Sequence, residues 1–478
     1  MVFVRMALNT ITPDFLDRLR RKLAPDVFRE ITQNYLEEPR RSLHGRAAAV
    51  LAPGKAEEVS LILKEANKAR IGVVPYGGGT GLVGAQIYTG ETAPLVLSLE
   101  RMKAIRDVDM RGNVLVAEAG ATLHEVHEAA EAVDRLFPLS LASEGSCQIG
   151  GNLATNAGGI NVLRYGNMRD LCLGLEVVLP SGEIWNGLSR LRKDNTGYDL
   201  RHLLIGAEGT LGVITAASLK LFPRPAETAT AAFVVPDPAA AIKLLEISRK
   251  QAGEAVSAFE LIAGTGFTFL KATGIDHKPF FAETPEWSVL MDLGTSAGAN
   301  AVALMESIFA EAFDAGVVLD GVIAASERQR QDLWTVRESI PEANHRIGAI
   351  RSHDISVPIA SVPEFIAKTK AKFAADGDYR INCFGHLGDG NLHFNVFPPE
   401  GKHRDDYPAG TKEKVQRIVH DMVAEFAGSI SAEHGIGRLK SADLQHYGDP
   451  AKLAAMRAIK AALDPNGIMN PGAIFGED

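Results

Sequence analysis

Apolar positions over residues 46–224 alternate between helical spacing and short β-rich runs. The apolar residues of 55–70 recur on one helical face, and the run "IGVV" follows as a strand. The other elements predicted for this region are strands over 94–99, 113–120, 175–184 and 212–222, and a helix near 122–133. Two prolines in "PRPAET" (223–228) end the region. The pattern predicts a first unit of mixed helix and strand.

A different pattern follows over residues 229–397. Strand-like runs and helical repeats alternate here as strand–helix–strand units, twice over, and a long helix is predicted to start at Glu327. The C-terminal part combines glycine-marked loops with helix. Near the other end of the chain, Thr12 is predicted to cap an amphipathic helix. The change of pattern predicts a second α/β unit distinct from the first.

Composition and charge narrow the class of protein. A chain of 478 residues is long for one hydrophobic core, and its length predicts two or three domains. A net charge of −9 argues against nucleic acid or an anionic membrane as the main partner. No apolar run approaches the ~18–20 residues of a membrane span, and the first residues lack the pattern of a secretory signal. The cysteines Cys147, Cys172 and Cys383 have no metal or redox spacing. We therefore expect a reduced, cytoplasmic enzyme.

Residues 75–84 read "PYGGGTGLVG", and this glycine density indicates a backbone that comes very close to a ligand. The segment contains the G-x-G-x-x-G pattern of a dinucleotide-binding Rossmann turn. In that fold the glycines open a helix whose N-terminus receives the pyrophosphate. Here "AQIYTGETAPLVLSLE" follows, which has no helical repeat and leaves no room for a crossover helix. An NAD site is therefore disfavoured, and a structural turn without a ligand is the plain alternative.

Two further glycine clusters favour a larger cofactor. Residues 143–166 read "SEGSCQIGGNLATNAGGINVLRYG", and residues 206–215 read "GAEGTLGVIT". Three separate loops of close approach suit an extended cofactor that lies along one domain. Their backbone N–H groups suit a pyrophosphate, because successive N–H groups in such turns form concave anion sites.

Five motifs, in this order, resemble those of the vanillyl-alcohol-oxidase-type FAD enzymes: "VVPYGGGTGLVG", "SEGSCQIGGNLATNAGG", "VLRYGNMRDLCLGLEVVLPSGE", "KDNTGYDLRHLLIGAEGTLGVIT" and "DPNGIMNPG". Within that superfamily the chain is similar to the D-2-hydroxyacid dehydrogenase group, which includes D-lactate and D-2-hydroxyglutarate dehydrogenases. The resemblance implies an α+β fold with a two-part FAD-binding domain of the p-cresol methylhydroxylase (PCMH) type, an α/β ferredoxin-like cap domain and a C-terminal helical return. The implied boundaries are 1–224 for the FAD-binding domain (core about 43–224), 225–428 for the cap, which carries substrate groups, and 429–478 for the segment that returns to the FAD site.

The same resemblance implies a set of FAD-binding residues in the glycine clusters and the C-terminal return. This set comprises Pro75, Tyr76, Gly77, Gly78, Gly79, Thr80, Gly81, Leu82, Glu144, Gly145, Ser146, Ile149, Gly150, Gly151, Asn152, Thr155, Asn156, Gly158, Gly159, Tyr165, Gly166, Glu208, Gly209, Gly212, Val213, Ile214 and Asn470. Some members of the superfamily bond the flavin covalently through a histidine near the first loop. This chain has Tyr76 there, so we expect FAD without a covalent bond.

The segment "FGHLGDGNLHFNVF" (384–397) predicts a β-hairpin with Asp389-Gly390 as its turn. That register places His386 opposite His393, with Cβ atoms about 4.5–5.5 Å apart, so that both imidazoles reach one metal. Glu433 in "SAEHGIG" offers a third ligand, and two histidines with a carboxylate are typical of a catalytic Zn²⁺ or similar divalent site. Two ordinary surface histidines are the alternative.

The resemblance assigns roles to these residues. It implies His386, His393 and Glu433 as metal ligands and His434 as the base that takes the substrate hydroxyl proton. It also places Arg337, in "DLWTVRESIPEA", as the clamp on the substrate carboxylate. Asn395 is predicted to face the substrate, because it lies two residues beyond His393 on the same strand face. The implied reaction is oxidation of a D-2-hydroxy acid to the 2-oxo acid, with hydride passing to the flavin.

The match departs from the family pattern at two positions. Dehydrogenases of D-2-hydroxyglutarate, as the resemblance implies, hold the distal carboxylate with a Thr and a Lys where this chain has Pro341 and Ser352. Arg351 is a neighbouring cation, but it is expected to point the other way. D-Lactate or another D-2-hydroxy acid is therefore a second substrate candidate. His353 flanks the expected substrate strand and is a further residue of interest.

Rival functions and partners stay open at this point. A zinc hydrolase built on the two histidines and Glu433 is one rival, although it leaves the glycine clusters unexplained. A flavin protein that acts on another alcohol, and one that has lost its dehydrogenase activity, are two others. The small-molecule substrate requires an electron acceptor that the sequence does not identify, with a quinone or an electron-transfer flavoprotein as candidates. The assembly is open as well, with a homodimer as one candidate.

Overall fold

The computed structural model describes residues 7–41 and 43–476. Residues 1–6, on which part of the expectation about a secretory signal rests, lie outside the described residues. The chain divides into two compact units. Unit 1 comprises 1–158, 167–224 and 434–478, and unit 2 comprises 159–166 and 225–433. Among the described residues, no helix combines the length and the apolar character that crossing a membrane requires.

The strands are β1 Phe28–Arg29, β2 Ala49–Leu51, β3 Val73–Tyr76, β4 Leu95–Ser98, β5 Ile105–Asp109, β6 Val114–Glu118, β7 Arg135–Leu136, β8 Cys172–Val178, β9 Ile184–Gly187, β10 Val213–Lys220, β11 Phe222–Pro223, β12 Glu227–Val235, β13 Val256–Ala263, β14 Trp287–Thr295, β15 Asp320–Ile323, β16 Arg351–Ser356, β17 Arg380–His386 and β18 Asn391–Phe397.

The helices are α1 Pro13–Arg20, α2 Ala56–Ala69, α3 Leu123–Glu131, α4 Ile149–Ala154, α5 Val162–Tyr165, α6 Met168–Leu171, α7 Leu200–Leu204, α8 Pro238–Ala252, α9 Gly264–Thr273, α10 Ala301–Asp314, α11 Glu327–Ile347, α12 Val362–Asp376, α13 Thr411–Glu425, α14 Ser441–Tyr447 and α15 Pro450–Leu463.

Local sequence signals account for several of these boundaries. The Thr12 hydroxyl accepts from the backbone N–H of Phe15 and caps α1, as predicted. Helix α3 begins with a capping box, in which Thr122 and Glu125 satisfy each other's backbone N–H groups. Helix α11 begins at the predicted Glu327, and Ser326 caps it. Helix α13 has no counterpart among the predicted elements, although its buried residues recur at helical spacing.

Unit 1 is built on two main sheets. The first has the order β1-β2-β4-β3, in which β4 pairs in parallel with both β2 and β3. The second is antiparallel, with the order β5-β6-β10-β8-β9. Strand β3 ends at Tyr76, so the first glycine cluster begins where a buried parallel strand ends. Residues 77–94, all of them described, contain no helix, which confirms the prediction against a Rossmann crossover.

Unit 2 contains one antiparallel sheet in the order β15-β12-β14-β13-β17-β18-β16. Side chains on its two faces belong to two separate cores. One core joins the sheet to α8, α10, α12 and α13, and the other joins it to α9 and α11. On β13, Leu261 faces the first core and Ile262 the second, as the alternation of a strand requires. Glu260 and His386 lie on the face that packs against α9 and α11, because they share strand faces with Ile262 and Phe384 of the second core.

Candidate active site

In unit 1, the first two glycine clusters pack backbone against backbone. A Cβ on Gly78 would lie 1.9 Å from the carbonyl oxygen of Ser146, and one on Gly77 would lie 3.5 Å from the Cα of Gly151. By contrast, a Cβ on Gly145 or Gly151 would meet no atom within 4 Å. The glycines therefore serve two purposes: some allow the loops to touch, and others keep an open surface beside them.

Glu208 and Asn470 connect the third cluster to the C-terminal return. The buried Glu208 carboxylate accepts the backbone N–H groups of Ile436 and Gly437, at 2.7 Å each. The Asn470 amide donates to the Glu208 carbonyl oxygen at 2.7 Å, and the backbone N–H of Asn470 donates to Val73 on β3. Burial raises the pKa of Glu208. The Glu208 side chain is thus committed to the loop that follows His434.

Arg438 ties the same loop to the first glycine cluster. Its guanidinium donates to the carbonyl oxygens of Gly84 and Ala85 and, on the other side, to Asn470 Oδ1 and the Pro471 carbonyl oxygen. Arg438 is not among the residues predicted from the sequence. The residues around Arg438 in the sequence give no sign of these four contacts, because the partners lie far away along the chain.

The other predicted cofactor residues fall in both units. The hydroxyl of Tyr76 donates to the Asn34 carbonyl oxygen at 2.6 Å, and Ile149 begins the short helix α4. Thr155 Oγ1 donates to the Gly151 carbonyl oxygen at 3.1 Å. Unit 1 contains Pro75, Tyr76, Gly77, Gly78, Gly79, Thr80, Gly81, Leu82, Glu144, Gly145, Ser146, Ile149, Gly150, Gly151, Asn152, Thr155, Asn156, Gly158, Glu208, Gly209, Gly212, Val213, Ile214 and Asn470, whereas Gly159, Tyr165 and Gly166 belong to unit 2.

The predicted register of the His386–His393 hairpin is wrong by two residues. His393 lies opposite Phe384, and His386 lies opposite Glu260 of the next strand, β13. The connection spans the four residues 387–390 rather than the two-residue Asp389-Gly390 turn. Because Phe384 and His386 share a strand face, the shift leaves both histidines on the same face. Their ring centroids are 5.6 Å apart.

His386, His393 and Glu433 are brought together in unit 2. Each offers one ligand atom, and these atoms all lie within 4.8 Å of one another. His386 Nε2 is 3.5 Å from Glu433 Oε1. Glu433 lies in an irregular segment, and its backbone N–H donates to Asp354 Oδ2 at 2.9 Å. Asp354 is the cross-strand neighbour of His393, so it holds the third group beside the second.

Glu260 is the group that sequence reasoning missed most clearly. It is fully buried, and its two oxygens accept from His386 Nδ1 at 2.5 Å and from Arg337 Nε at 2.7 Å. Burial by itself raises the pKa of Glu260, but His386 and Arg337 together lower it to about 2. Burial lowers the pKa of His386, and the Glu260 carboxylate overrides this effect and raises it to about 9. Burial raises the pKa of Glu433 to about 7.

The remaining predicted residues have definite places. Arg337 is buried on α11, and its guanidinium lies 4.8 Å above the centre of the Phe384 ring. Asn395 is buried on β18, with its amide donating to the His393 carbonyl oxygen at 3.2 Å. His434 directly follows Glu433 in the chain and belongs to unit 1. His353 lies on the opposite face of β16 from Asp354, with its ring 5.7 Å from that of His420.

Comparisons with known proteins identify the domains of the chain and its relatives. A family model of the C-terminal domain of FAD linked oxidases matches residues 224–474, and an FAD binding domain model matches residues 47–187. D-2-hydroxyglutarate dehydrogenase of Xanthomonas citri is 38% identical over 428 residues, covering 89% of each chain. The mitochondrial D-2-hydroxyglutarate dehydrogenase of Bos taurus is 34% identical over 476 residues, covering 98% of this chain and 84% of that protein.

Solved structures support the fold. Alkyldihydroxyacetonephosphate synthase matches with a TM-score of 0.72 at 17% identity, covering 98% of this chain and 87% of that one. p-Cresol methylhydroxylase matches with a TM-score of 0.72 at 15% identity, covering 98% and 99%. The predicted PCMH-type fold is therefore confirmed.

The fold and the two domain matches define an FAD-dependent oxidoreductase. More particularly, the chain belongs to the FAD-linked oxidase family, in its D-2-hydroxyacid dehydrogenase group. The sequence-based family assignment is confirmed. The roles of the individual site residues stay predictions.

Proposed function

We propose that this enzyme oxidises a D-2-hydroxy acid to the 2-oxo acid, with FAD as hydride acceptor and with a divalent cation that His386, His393 and Glu433 bind. The observation that carries the proposal is the approach of these three ligand groups to one another, beside the buried Glu260 that contacts both His386 and Arg337. A zinc hydrolase would use the same three groups, but it has no use for an FAD-binding domain.

The glycine clusters of unit 1 fit FAD. Open space beside Gly145 and Gly151 leaves room for a cofactor against the backbone. We propose that unit 1 holds FAD without a covalent bond and that unit 2 is the cap that carries the substrate groups. FAD, when bound, supplies the two-electron acceptor for the hydrogen on C2 of the substrate. The chain's own task is to orient C2 and to remove the hydroxyl proton.

The donor set also fits a divalent cation. Two imidazoles and one carboxylate are typical of catalytic Zn²⁺ sites, which keep a position open for substrate. Such a cation, when bound, lowers the pKa of the substrate hydroxyl and fixes its position. His386 is held ready for this role, because its Nδ1 faces Glu260 and its Nε2 faces Glu433.

Three further residues complete the proposed chemistry. His434 accepts the hydroxyl proton, and a histidine suits this role because its ordinary pKa lies near neutrality. Arg337 binds the substrate carboxylate through its terminal nitrogens, since its Nε is engaged by Glu260. Asn395 orients the substrate from the face that it shares with His393.

The relatives and two residues of this chain give two candidates for the substrate. Relatives at 34–38% identity are named D-2-hydroxyglutarate dehydrogenases, which makes D-2-hydroxyglutarate the first candidate. Pro341 lies within α11 and Ser352 lies opposite Asn395. Neither side chain carries a positive charge, so neither can pair with the distal carboxylate of D-2-hydroxyglutarate. D-Lactate, which has no distal carboxylate, is the second candidate. A quinone or an electron-transfer flavoprotein as acceptor, a homodimer and a cytoplasmic location stay predictions.

Anaerobic stopped-flow measurement of flavin bleaching tests the proposal. We expect D-2-hydroxyglutarate or D-lactate to bleach the flavin, the L-enantiomers to leave it oxidised, and EDTA to abolish bleaching until Zn²⁺ or Mn²⁺ is restored. A purified protein that carries no flavin and cannot be reconstituted with FAD would contradict the proposal. Bleaching that is indifferent to EDTA would remove the cation from it.

A further inference from the structure

Glu260 contacts two residues of the candidate site, His386 and Arg337. Strand pairing places it directly opposite His386, so the contact between them is fixed by the backbone of β13 and β17. One carboxylate oxygen accepts from His386 Nδ1, and the other accepts from Arg337 Nε. The side chains of Glu260 and Arg337 are 0% and 7% exposed, so neither has water as an alternative partner.

The hydrogen bond to Glu260 decides which nitrogen His386 offers. An ionised carboxylate only accepts hydrogen bonds, so Nδ1 keeps its proton toward Glu260, and Nε2 is the nitrogen that loses its proton when a cation binds. Nε2 is the nitrogen that points toward Glu433. A carboxylate behind a metal-binding imidazole fixes the tautomer and the ring orientation and raises the basicity of the ligand.

We propose that Glu260 is a positioning residue that orients His386 for the metal and Arg337 for the substrate carboxylate. This inference rests on the proposed function, because it requires that His386 binds a cation. One buried carboxylate then aligns both groups that hold the substrate. If either His386 or Arg337 turned away from Glu260, its own N–H donor would be buried without a partner, which costs free energy.

A second buried carboxylate supplies a matched control. Asp292 on the neighbouring strand β14 accepts from Arg330 Nη2 at 3.1 Å and from the Trp334 indole N–H at 3.1 Å. Both of these donors lie on α11, the helix that carries Arg337. Asp292 therefore anchors the same helix through the same kind of ion pair. None of the contacts that the structure gives it is with His386, His393 or Glu433.

The test is a zinc titration of the metal-stripped, FAD-loaded enzyme against a competing chelating dye. We expect Glu260→Gln to weaken zinc binding by about 10–100-fold, because the uncharged amide is a poorer acceptor and must turn its NH₂ group toward one of two donors. The same variant should raise KM for the hydroxy acid. Asp292→Asn should lower the melting temperature and leave zinc affinity within about twofold of the wild type, since it affects only the anchorage of α11.

A double variant keeps the test decisive if Glu260→Gln fails to fold. Glu260→Leu with Arg337→Met removes both members of the buried ion pair together, which avoids leaving the Arg337 charge unpaired. It should fold, retain FAD and bind zinc as weakly as Glu260→Gln. Wild-type zinc affinity in the two Glu260 variants would overturn the positioning role while leaving the proposed function intact. A wild-type enzyme that binds no zinc and is indifferent to EDTA would instead overturn the metal site itself.

Discussion

Glu208 accepts the backbone N–H of Gly437 at 2.7 Å, across 229 positions of the chain. The other oxygen of the same carboxylate accepts from Ile436, and the Glu208 carbonyl oxygen accepts from Asn470. The segment after His434 is thus held by a residue from one glycine cluster. The predicted cofactor loop and the predicted proton acceptor are parts of one hydrogen-bonded structure within unit 1.

Glu208→Gln should disturb this structure. An amide offers one acceptor where two N–H groups need partners, so one of them is left facing an NH₂ group. We expect the free energy of unfolding to fall by about 1–3 kcal/mol and flavin reduction to slow by at least about tenfold, since a misplacement of about 1 Å is costly in catalysis. Chemical denaturation and stopped-flow reduction measure the two effects.

Glu176→Gln is the control for this variant. Glu176 is a buried carboxylate of the same unit, bound to Arg106 and Thr215. Its substitution should cost similar stability and leave flavin reduction close to the wild-type rate. Equal slowing in the two variants would mean that Glu208 has no special relation to His434.

Two glycine substitutions separate loop packing from cofactor contact. Gly78→Ala places a Cβ 1.9 Å from a carbonyl oxygen, so the loops must move apart and the protein should lose both stability and FAD. Gly151→Ala meets no protein atom within 4 Å, so the apoprotein should melt near the wild-type temperature. If FAD lies against this surface, Gly151→Ala should still bind it more weakly. Unchanged FAD affinity in Gly151→Ala would place the cofactor elsewhere.

The sequence allowed the site to be predicted where the signal is local. The missing helix after Gly84 excludes a Rossmann crossover, and the hairpin predicted for 384–397 places His386 and His393 on one face of the sheet. The register of that hairpin could not be predicted, because the sequence offers an Asp-Gly turn and the chain uses a longer connection. A register shift of two residues keeps each side chain on its face, so the error left the two histidines together.

Glu260 and Arg438 could not be predicted for a different reason. Glu260 reaches His386 only because β13 pairs with β17, although 126 positions separate the two residues. One sequence carries no information about that non-consecutive pairing. A charged residue within the apolar run "VSAFELIA" was nevertheless a signal, because a carboxylate buried in a central strand requires buried partners.

His434→Gln tests the proton acceptor. The amide keeps a polar side chain of similar size but cannot take a proton, so flavin reduction should slow by about 10²–10⁴-fold. FAD content and zinc content should stay at the wild-type level, because neither is assigned to this side chain. Reduction at the wild-type rate would assign the proton to another group. Loss of zinc together with activity would mean that His434 is a ligand rather than the base.

Zinc binding should depend on pH because two of the proposed ligands hold protons in the metal-free protein. The pKa of His386 is raised to about 9 and that of Glu433 to about 7, and both groups must lose their protons to bind a cation. Zinc affinity should therefore rise about 100-fold per pH unit below about pH 7 and about tenfold per unit between about 7 and 9.

The same raised pKa values determine how the stability of the metal-free enzyme changes with pH. His386 and Glu433 both bind protons more tightly in the folded chain than in the unfolded chain, whose ordinary values are 6.5 and 4.5. Their contribution to stability is complete below those ordinary values, and it is lost as pH rises through about 7 for Glu433 and about 9 for His386. The melting temperature of the metal-free enzyme should therefore fall as pH is raised from about 5 to 9.

Saturating zinc should remove most of this fall, because the cation replaces both protons. Calorimetry with and without zinc measures the difference, and parallel curves would contradict the assignment of these two residues as ligands.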